Sequence, residues 1–246
     1  MEIAKSLSYQ FDDSQWITKL GLAALISMVP VLNLALVGYM VSIVRNVAAG
    51  LKEPLPNWDN FGQKFLDGLV LTAAGLIYSA PGLILICLPL GMLAVSGALT
   101  QDNSLAPTGR WALGAGWVLF VVVVVVILVY LLLISILQPI VLVIFSREGT
   151  FASCFRVREI AEILGRHTAA FSVTWIMTVV AGLVIGLLVG LVNLVVGWIP
   201  CLGWIAGAVL ALGSTVYLVT VDAHLLARFR LAAFEQDASR PVASSA

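Results

Sequence analysis

Charge is missing from long stretches of this sequence. No Asp, Glu, Lys or Arg occurs in residues 20–44, 68–101, 111–146 or 167–221, windows of 25, 34, 36 and 55 residues. Charged residues make up only 11% of the chain, less than half the soluble average of roughly a quarter. The thirteen cations and thirteen anions cancel and leave no Lys/Arg-rich patch, which argues against a nucleic-acid partner. Cysteine is scarce. Cys87 and Cys201 lie in apolar runs and Cys154 in a polar loop, so neither a disulfide framework nor a CxxC metal site is expected. The first fifteen residues lack the basic start of a signal peptide, and no cleavable targeting segment is expected. The apolar runs hold no HExxH, no paired carboxylates and no Ser/His/Asp set, and no phosphate-cradling GxxxxGK[ST] loop exists. The expectation is a protein that is not an enzyme and carries no cofactor or metal.

What the chain has in abundance is apolar surface. Sixty-one per cent of residues are hydrophobic, and the mean hydropathy is +1.07. A soluble domain of 246 residues cannot hide that much, so lipid is the solvent. A helix needs roughly 20 residues to cross the hydrocarbon core. The first three windows are therefore each one pass or a broken pass, and the fourth, divided at Trp198-Ile-Pro-Cys-Leu-Gly203, is two. In the first window Val29-Pro-Val-Leu-Asn33 must kink or break a helix, because proline lacks the N–H and clashes with the preceding turn. Residues 17–49 are either one long kinked span or a re-entrant V with its tip near Pro30. Ser79-Ala-Pro-Gly82 and Pro89 interrupt the second window, and residues 98–110 are expected as a short loop. The six valines 121–126 read as helix, since a strand would need a closed barrel around it.

Two polar passages have helical periodicity. Asn57, expected as an N-cap behind Pro56, opens a helix with Trp58, Phe61, Phe65 and Leu69 on one face and Asn60, Gln63, Lys64 and Asp67 on the other. Residues 152–166 place Val157, Ile160, Ala161 and Leu164 opposite Arg158, Glu159, Glu162 and Arg166. Beside membrane spans, both are expected to lie in the interface. The fold expected is an all-α polytopic membrane helix bundle. It has an N-terminal Pro-broken helix pair, four clear spans and two interfacial amphipathic helices. Residues 1–234 form a single integral membrane domain and 235–246 a disordered tail. The order of apolar run, amphipathic helix and Pro-broken run occurs twice, a faint internal repeat.

Lys and Arg in short loops set orientation. Arg45, Lys52 and Lys64, then Arg147, Arg156, Arg158 and Arg166, then Arg228, Arg230 and Arg240 outweigh the lone Arg110 of the opposite loops. Both amphipathic helices and the C-terminus are thereby assigned to the cytoplasm. The N-terminus joins them only if the first run is a V.

Particular residues resemble a known family. Trp16-x-x-Lys19, Gly38-Tyr39 followed by Arg45, Leu55-Pro-x-Trp-Asp-x-Phe with Asp67-Gly-Leu, and Phe155-Arg-Val-Arg-Glu-Ile-Ala-Glu-Ile-Leu164 are similar to prokaryotic polytopic membrane proteins catalogued as domain of unknown function 4013. The resemblance covers roughly residues 9 to 230. It implies a multi-pass protein of a bacterial or archaeal inner membrane and supplies neither an activity nor site residues.

The candidate sites are therefore physical. Gly182, Gly186 and Gly190, and again Gly203 and Gly207, recur at spacing four, as helices in lipid do where their backbones approach closely. Such ridges dock a membrane-protein partner or a second copy, or pack the last two spans together. Trp58, Phe61 and Phe65 are candidate anchors, in lipid or against the bundle. Pro30 and Asn33 mark a candidate pathway, since broken helices expose backbone at transporter sites; Asn33 satisfying the break itself is the simpler alternative. Asp222, His224 and Arg228 are expected as a solvated helix end near the membrane face. The leading functional expectation is a non-enzymatic scaffold or partner-binding component within the lipid bilayer. The alternative is a transporter or channel for a small or lipidic substrate.

Overall fold

Lipid offers the backbone no hydrogen-bond partner, so a chain this apolar must satisfy its peptide groups within helices or a closed barrel. The computed structural model describes residues 3–100, 106–199 and 202–238, and among them the regular structure is helical throughout. The helices are α1 (Ile3–Ser8), α2 (Trp16–Ser27), α3 (Leu34–Ala48), α4 (Phe61–Leu99), α5 (Ala106–Glu148), α6 (Val157–Arg166), α7 (Thr168–Val196) and α8 (Leu202–Ala238), with 3-10 turns at Tyr9–Asp12 and Phe151–Phe155. Four stretches are long and apolar enough to cross a membrane: Phe61–Leu99, Thr108–Glu148, Thr168–Val196 and Gly203–Phe234. This is the all-α polytopic bundle read from the charge-free windows. Contacts divide it into two compact units, Met1–Thr72 with Pro139–Ala246, and Ala73–Gln138.

In the first unit, α2 and α3 have 12 and 15 residues. At 1.5 Å per residue they measure roughly 18 and 22 Å, short of the roughly 30 Å hydrocarbon core. The break at residues 28–33 carries i→i+3 bonds from Met28 and Val29 to Leu25 and Ile26, the tightening that ends a helix. Lys19, in the first turns of α2, donates to the Leu55 carbonyl beyond the end of α3. The chain therefore enters and returns on one side, and the V is the correct alternative for residues 17–49. α3 closes with Gly50 at φ +69°, where Leu51 N–H reaches Asn46 O and Gly50 N–H reaches Val47 O. That bonding is a Schellman cap, and its left-handed residue suits glycine.

The amphipathic segment before the second span differs from its expected form in two respects. The helix begins at Phe61, with Asn60 O rather than the Asn57 region accepting the first bond, and runs straight into the span. Its buried side is also not the expected one: Lys64 and Asp67 are buried and Leu69 is exposed, while Trp58, Phe61 and Phe65 are half-buried and Asn60 and Gln63 remain exposed. Apolar side chains cost nothing against lipid, so Lys64 and Asp67 can turn inward while Leu69 faces out. Two glycines make that approach possible. A Cβ on Gly38 would overlap the Lys64 carbonyl, and one on Gly68 would overlap the Leu34 carbonyl.

Ala73–Gln138 contains the rest of α4 and most of α5. Pro81 and Pro89 lie inside α4 and Pro139 inside α5, and the helices continue through all three. Beside the first of these, the Tyr130 hydroxyl donates to the Tyr78 carbonyl, and its ring covers Gly82. That donor lies in the turn where Pro81 removes an N–H, and the helix continues through it, so proline does not break the span as the sequence suggested. The expected 98–110 loop is shorter, because helix resumes at Ala106; Gln101, Asp102 and Asn103 lie outside the described residues.

After α5, Gly149 takes φ +69° and closes the helix. α6 buries Ile160 and Ile163, while Val157 and Ala161 face outward, so its packed face is rotated from the expected one. α7 and α8 meet where Gly203 approaches Val196 O and Gly207 approaches Asn193 Oδ1; Pro200 and Cys201 in the turn lie outside the described residues. α8 continues to Ala238, four residues into the expected tail, and 239–246 lie outside the description. Gly38→Ala and Gly68→Ala each drive a methyl into a neighbouring backbone and are expected to cost about 3 kcal/mol, the upper end of ordinary overpacking. Gly21→Ala, which meets nothing within 4 Å, should leave stability unchanged or slightly raised; thermal unfolding in mild detergent checks all three.

Candidate functional site: two buried polar lattices

Ionisable side chains gather at two places in the first unit. The first lies where the N-terminal segment meets α2, α3 and α8. Asp13 is buried and receives Gln15 N–H at 2.9 Å and Lys19 Nζ at 2.7 Å. Lys19 also donates to Leu55 O at 3.0 Å, and its own carbonyl accepts Trp58 Nε1 at 3.0 Å. Trp58 stacks on Tyr39, with centroids 4.7 Å apart and planes 6° from parallel. On the α8 side, Tyr9 OH donates to Thr220 O, Gln10 Nε2 to Thr220 Oγ1, and Tyr217 OH to Leu7 O. Ser6 Oγ and His224 Nδ1 are 2.8 Å apart, and the imidazole stacks on Tyr9. Burial, with the nearby Tyr39 adding to it, pushes the Tyr9 phenol far above its ordinary range and keeps it neutral. Gln10 Oε1 and the Tyr39 hydroxyl are buried without a hydrogen-bond partner among the described residues.

The second lattice joins the ends of four helices. Arg45 donates to Asp67 Oδ2 at 2.6 Å and to the Ser146 carbonyl at 3.0 Å, and its guanidinium lies 5.9 Å from the Phe145 ring centroid. Gln63 donates to the other Asp67 oxygen at 2.8 Å. Arg230 reaches Ser146 Oγ at 3.1 Å, and Arg147 sits 4.7 Å over the Phe234 ring. Cations at the last turn of α5 satisfy its orphan carbonyls and complement its dipole.

Of the candidates drawn from sequence, Trp58 anchors against the bundle through Tyr39, and Phe61 and Phe65 extend that aromatic series at centroid spacings of 6.3 Å. Pro30 and Asn33 sit at the exposed tip of the V, where Asn33 bridges the break with its backbone N–H to Val29 O and makes no side-chain cap. Gly203 and Gly207 pack α8 on α7, whereas Gly182, Gly186 and Gly190 meet nothing within 4 Å. Asn193 donates within its own helix, to Val189 O. The solvated helix end expected at 222–228 is corrected. His224 is a buried partner of Ser6 and Tyr9, Asp222 Oδ1 is buried without a partner among the described residues, and only Arg228 is exposed. Among the described residues, no group of three His, Cys, Asp or Glu stands together as metal ligands would.

The contacts that sequence reasoning missed lie between residues it had already singled out. Trp16-x-x-Lys19, Gly38-Tyr39, Arg45, Leu55-x-x-Trp58 and Asp67-Gly68 meet in the pairs Lys19–Leu55, Lys19–Trp58, Tyr39–Trp58 and Arg45–Asp67, with the two glycines at the α3–α4 crossing. Residues 22–194 match the family described as protein of unknown function, DUF4013. The chain belongs to the DUF4013 family. Curated proteins and solved structures yield no match. The match takes in the whole Arg45–Asp67 pairing and α7 as far as Leu194. The partners that this DUF4013 protein brings to Thr220 and His224 lie outside it, at both chain ends.

Both lattices orient helices. A buried ion pair is a weak source of net stability, but removing one partner strands a charge in a medium of low dielectric. Asp13→Asn is therefore expected to cost about 3–5 kcal/mol, because Lys19 loses its carboxylate partner. Asp13→Leu combined with Lys19→Met should recover most of that loss. Unfolding of the purified single and double variants in detergent checks both outcomes.

Proposed function

We propose that this protein is a non-enzymatic component of a prokaryotic plasma membrane whose α7 docks a second transmembrane helix. The carrying observation is the state of its glycines. Gly38, Gly68, Gly203 and Gly207 are each occupied by a neighbouring backbone or side chain of the same chain, whereas Gly182, Gly186 and Gly190 are open. Small residues four apart permit the close backbone contact that drives association in lipid. The apolar window of α7 buries none of its residues within the chain, so this ridge has no intramolecular use. The excess of Lys and Arg supports a cytoplasmic setting for Arg45, Arg147, α6 and the end of α8. Bonds from Lys19 to Leu55 and from Ser6 to His224 support the same setting for the N-terminus.

A second reading, a transporter or channel for a small or lipidic substrate, draws on Asp222 Oδ1, Gln10 Oε1 and the Tyr39 hydroxyl, all buried without partners among the described residues. Ionisable groups in a span ordinarily mark pathways. Proteoliposome flux that depends on Asp222 supports this reading, and its absence across ions and lipids removes it.

The docking reading predicts that Gly186→Leu weakens association roughly tenfold, by light scattering or partner co-purification, and leaves thermal stability unchanged because the new side chain enters lipid. Gly207→Leu should do the reverse, lowering stability through its clash with Asn193. A wild-type chain that is always a lone monomer, with nothing retained in mild detergent, overturns the proposal.

A further inference from the structure

The end of α5, the outer face of α6 and the last turns of α8 enclose a groove of about 450 Å³, lined by Arg147, Glu159, Glu162, Ile163, Arg166 and Phe234. That volume lies in the ordinary range for small ligands. Its depth in the membrane follows from the chain. The charge-free run of α5 ends at Ser146 and that of α7 begins at His167, so the groove sits where hydrocarbon gives way to headgroups.

The α5 side of the groove is cationic, and the α6 side carries two carboxylates together with Arg166. On the α5 side Arg147 is held over the Phe234 ring. Behind it Arg45 and Arg230 converge on Ser146, the residue before Arg147. The carboxylate paired within this trio is Asp67, through Arg45, so among the described residues three guanidinium groups share one anion. On the α6 side Glu159 and Glu162 lie one turn apart, and Arg166, one turn beyond Glu162, lines the same side. Their partners Arg156 and Arg158 are largely exposed, at distances of 3.3 and 3.2 Å, and such pairs hold a carboxylate weakly. Ile163 and Phe234 supply an apolar wall between the charges.

An anion-only headgroup meets two carboxylates here, and a purely cationic ligand meets the guanidinium cluster. A phosphate diester joined by two carbons to a primary ammonium satisfies both sides: phosphate on Arg147 by charge-assisted hydrogen bonds, ammonium on Glu159 and Glu162. We propose that this groove is a headgroup site for an amine-bearing phospholipid of the phosphatidylethanolamine class. Its glycerol and first acyl carbons lie along Ile163 and Phe234. A choline headgroup keeps the charge but has no N–H to donate to the glutamates, which is the basis of discrimination. This site is independent of helix docking on α7.

The test uses the full-length protein, delipidated in detergent, with phosphatidylethanolamine, phosphatidylcholine and phosphatidylglycerol of identical acyl chains. Retained lipid is read by native mass spectrometry and thermal shift. Phosphatidylethanolamine is expected to bind about tenfold more tightly than the other two, the scale of a charge-assisted hydrogen bond. Glu159→Gln with Glu162→Gln, on an exposed helix face, should remove the preference over phosphatidylglycerol, and Arg147→Gln should weaken all three lipids. Equal binding of the three lipids by the wild type overturns the proposal. So does an unchanged preference in the double glutamine variant. Soluble glycerophosphoethanolamine binding as tightly as the lipid also overturns it, since the apolar wall would then contribute nothing.

Discussion

Arg45 and Arg230 together hold four helices to one point, Ser146. From the last turn of α3 Arg45 pairs with Asp67 of α4 and caps the Ser146 carbonyl of α5, while Arg230 of α8 reaches the Ser146 hydroxyl. In water, apolar faces alone would gather such helices, but in lipid that force vanishes and geometry must come from directed bonds and close backbone approach. The first unit uses both. Gly38 and Gly68 let α3 and α4 touch, and only at that separation do Lys64 and Asp67 leave the lipid.

The absence of charge was a sufficient guide to the spans, because a window of 34 or 36 uncharged residues has no other stable fate than a helix across lipid. The segment 57–69 was less legible. Its periodicity separated polar from apolar side chains, but the buried side takes Lys64 and Asp67 from one set and half-buries Trp58, Phe61 and Phe65 from the other, which spacing alone does not announce. Trp58 was expected to anchor in lipid or against the bundle, and nothing local decides between the two, because its partner Tyr39 lies nineteen positions earlier. His224 was further out of reach. Ser6 stands 218 residues away, and a contact of that separation leaves no periodic trace. The V at Pro30 was half legible: proline marks the break, but only the bond from Lys19 to Leu55 tells which way the chain turns.

The residues that carried the family resemblance are now seen as a contact set rather than a string of motifs. Lys19, Tyr39, Leu55 and Trp58 bond or stack with one another, and Arg45 pairs with Asp67, so that α2, α3, the segment before α4 and its first turns are joined. Such a set specifies how an N-terminal V seats on the first span. It leaves the outer surfaces free to differ, and the two features with no intramolecular use, the open glycines of α7 and the bipolar groove beside α6, both lie outside it.

The valine run in α5 bears on how the protein is made. Val121, Val122, Val125 and Val126 are exposed and face the surroundings of the helix. Six consecutive β-branched residues without charge or proline are, in water, the composition of a cross-β segment. Only a medium that forbids unpaired backbone groups makes helix the better choice for them. The span is therefore safe inside a bilayer and hazardous on the way to it. Any interval the segment spends in water before it reaches the membrane exposes it to that hazard, so delivery and folding are one problem for this span.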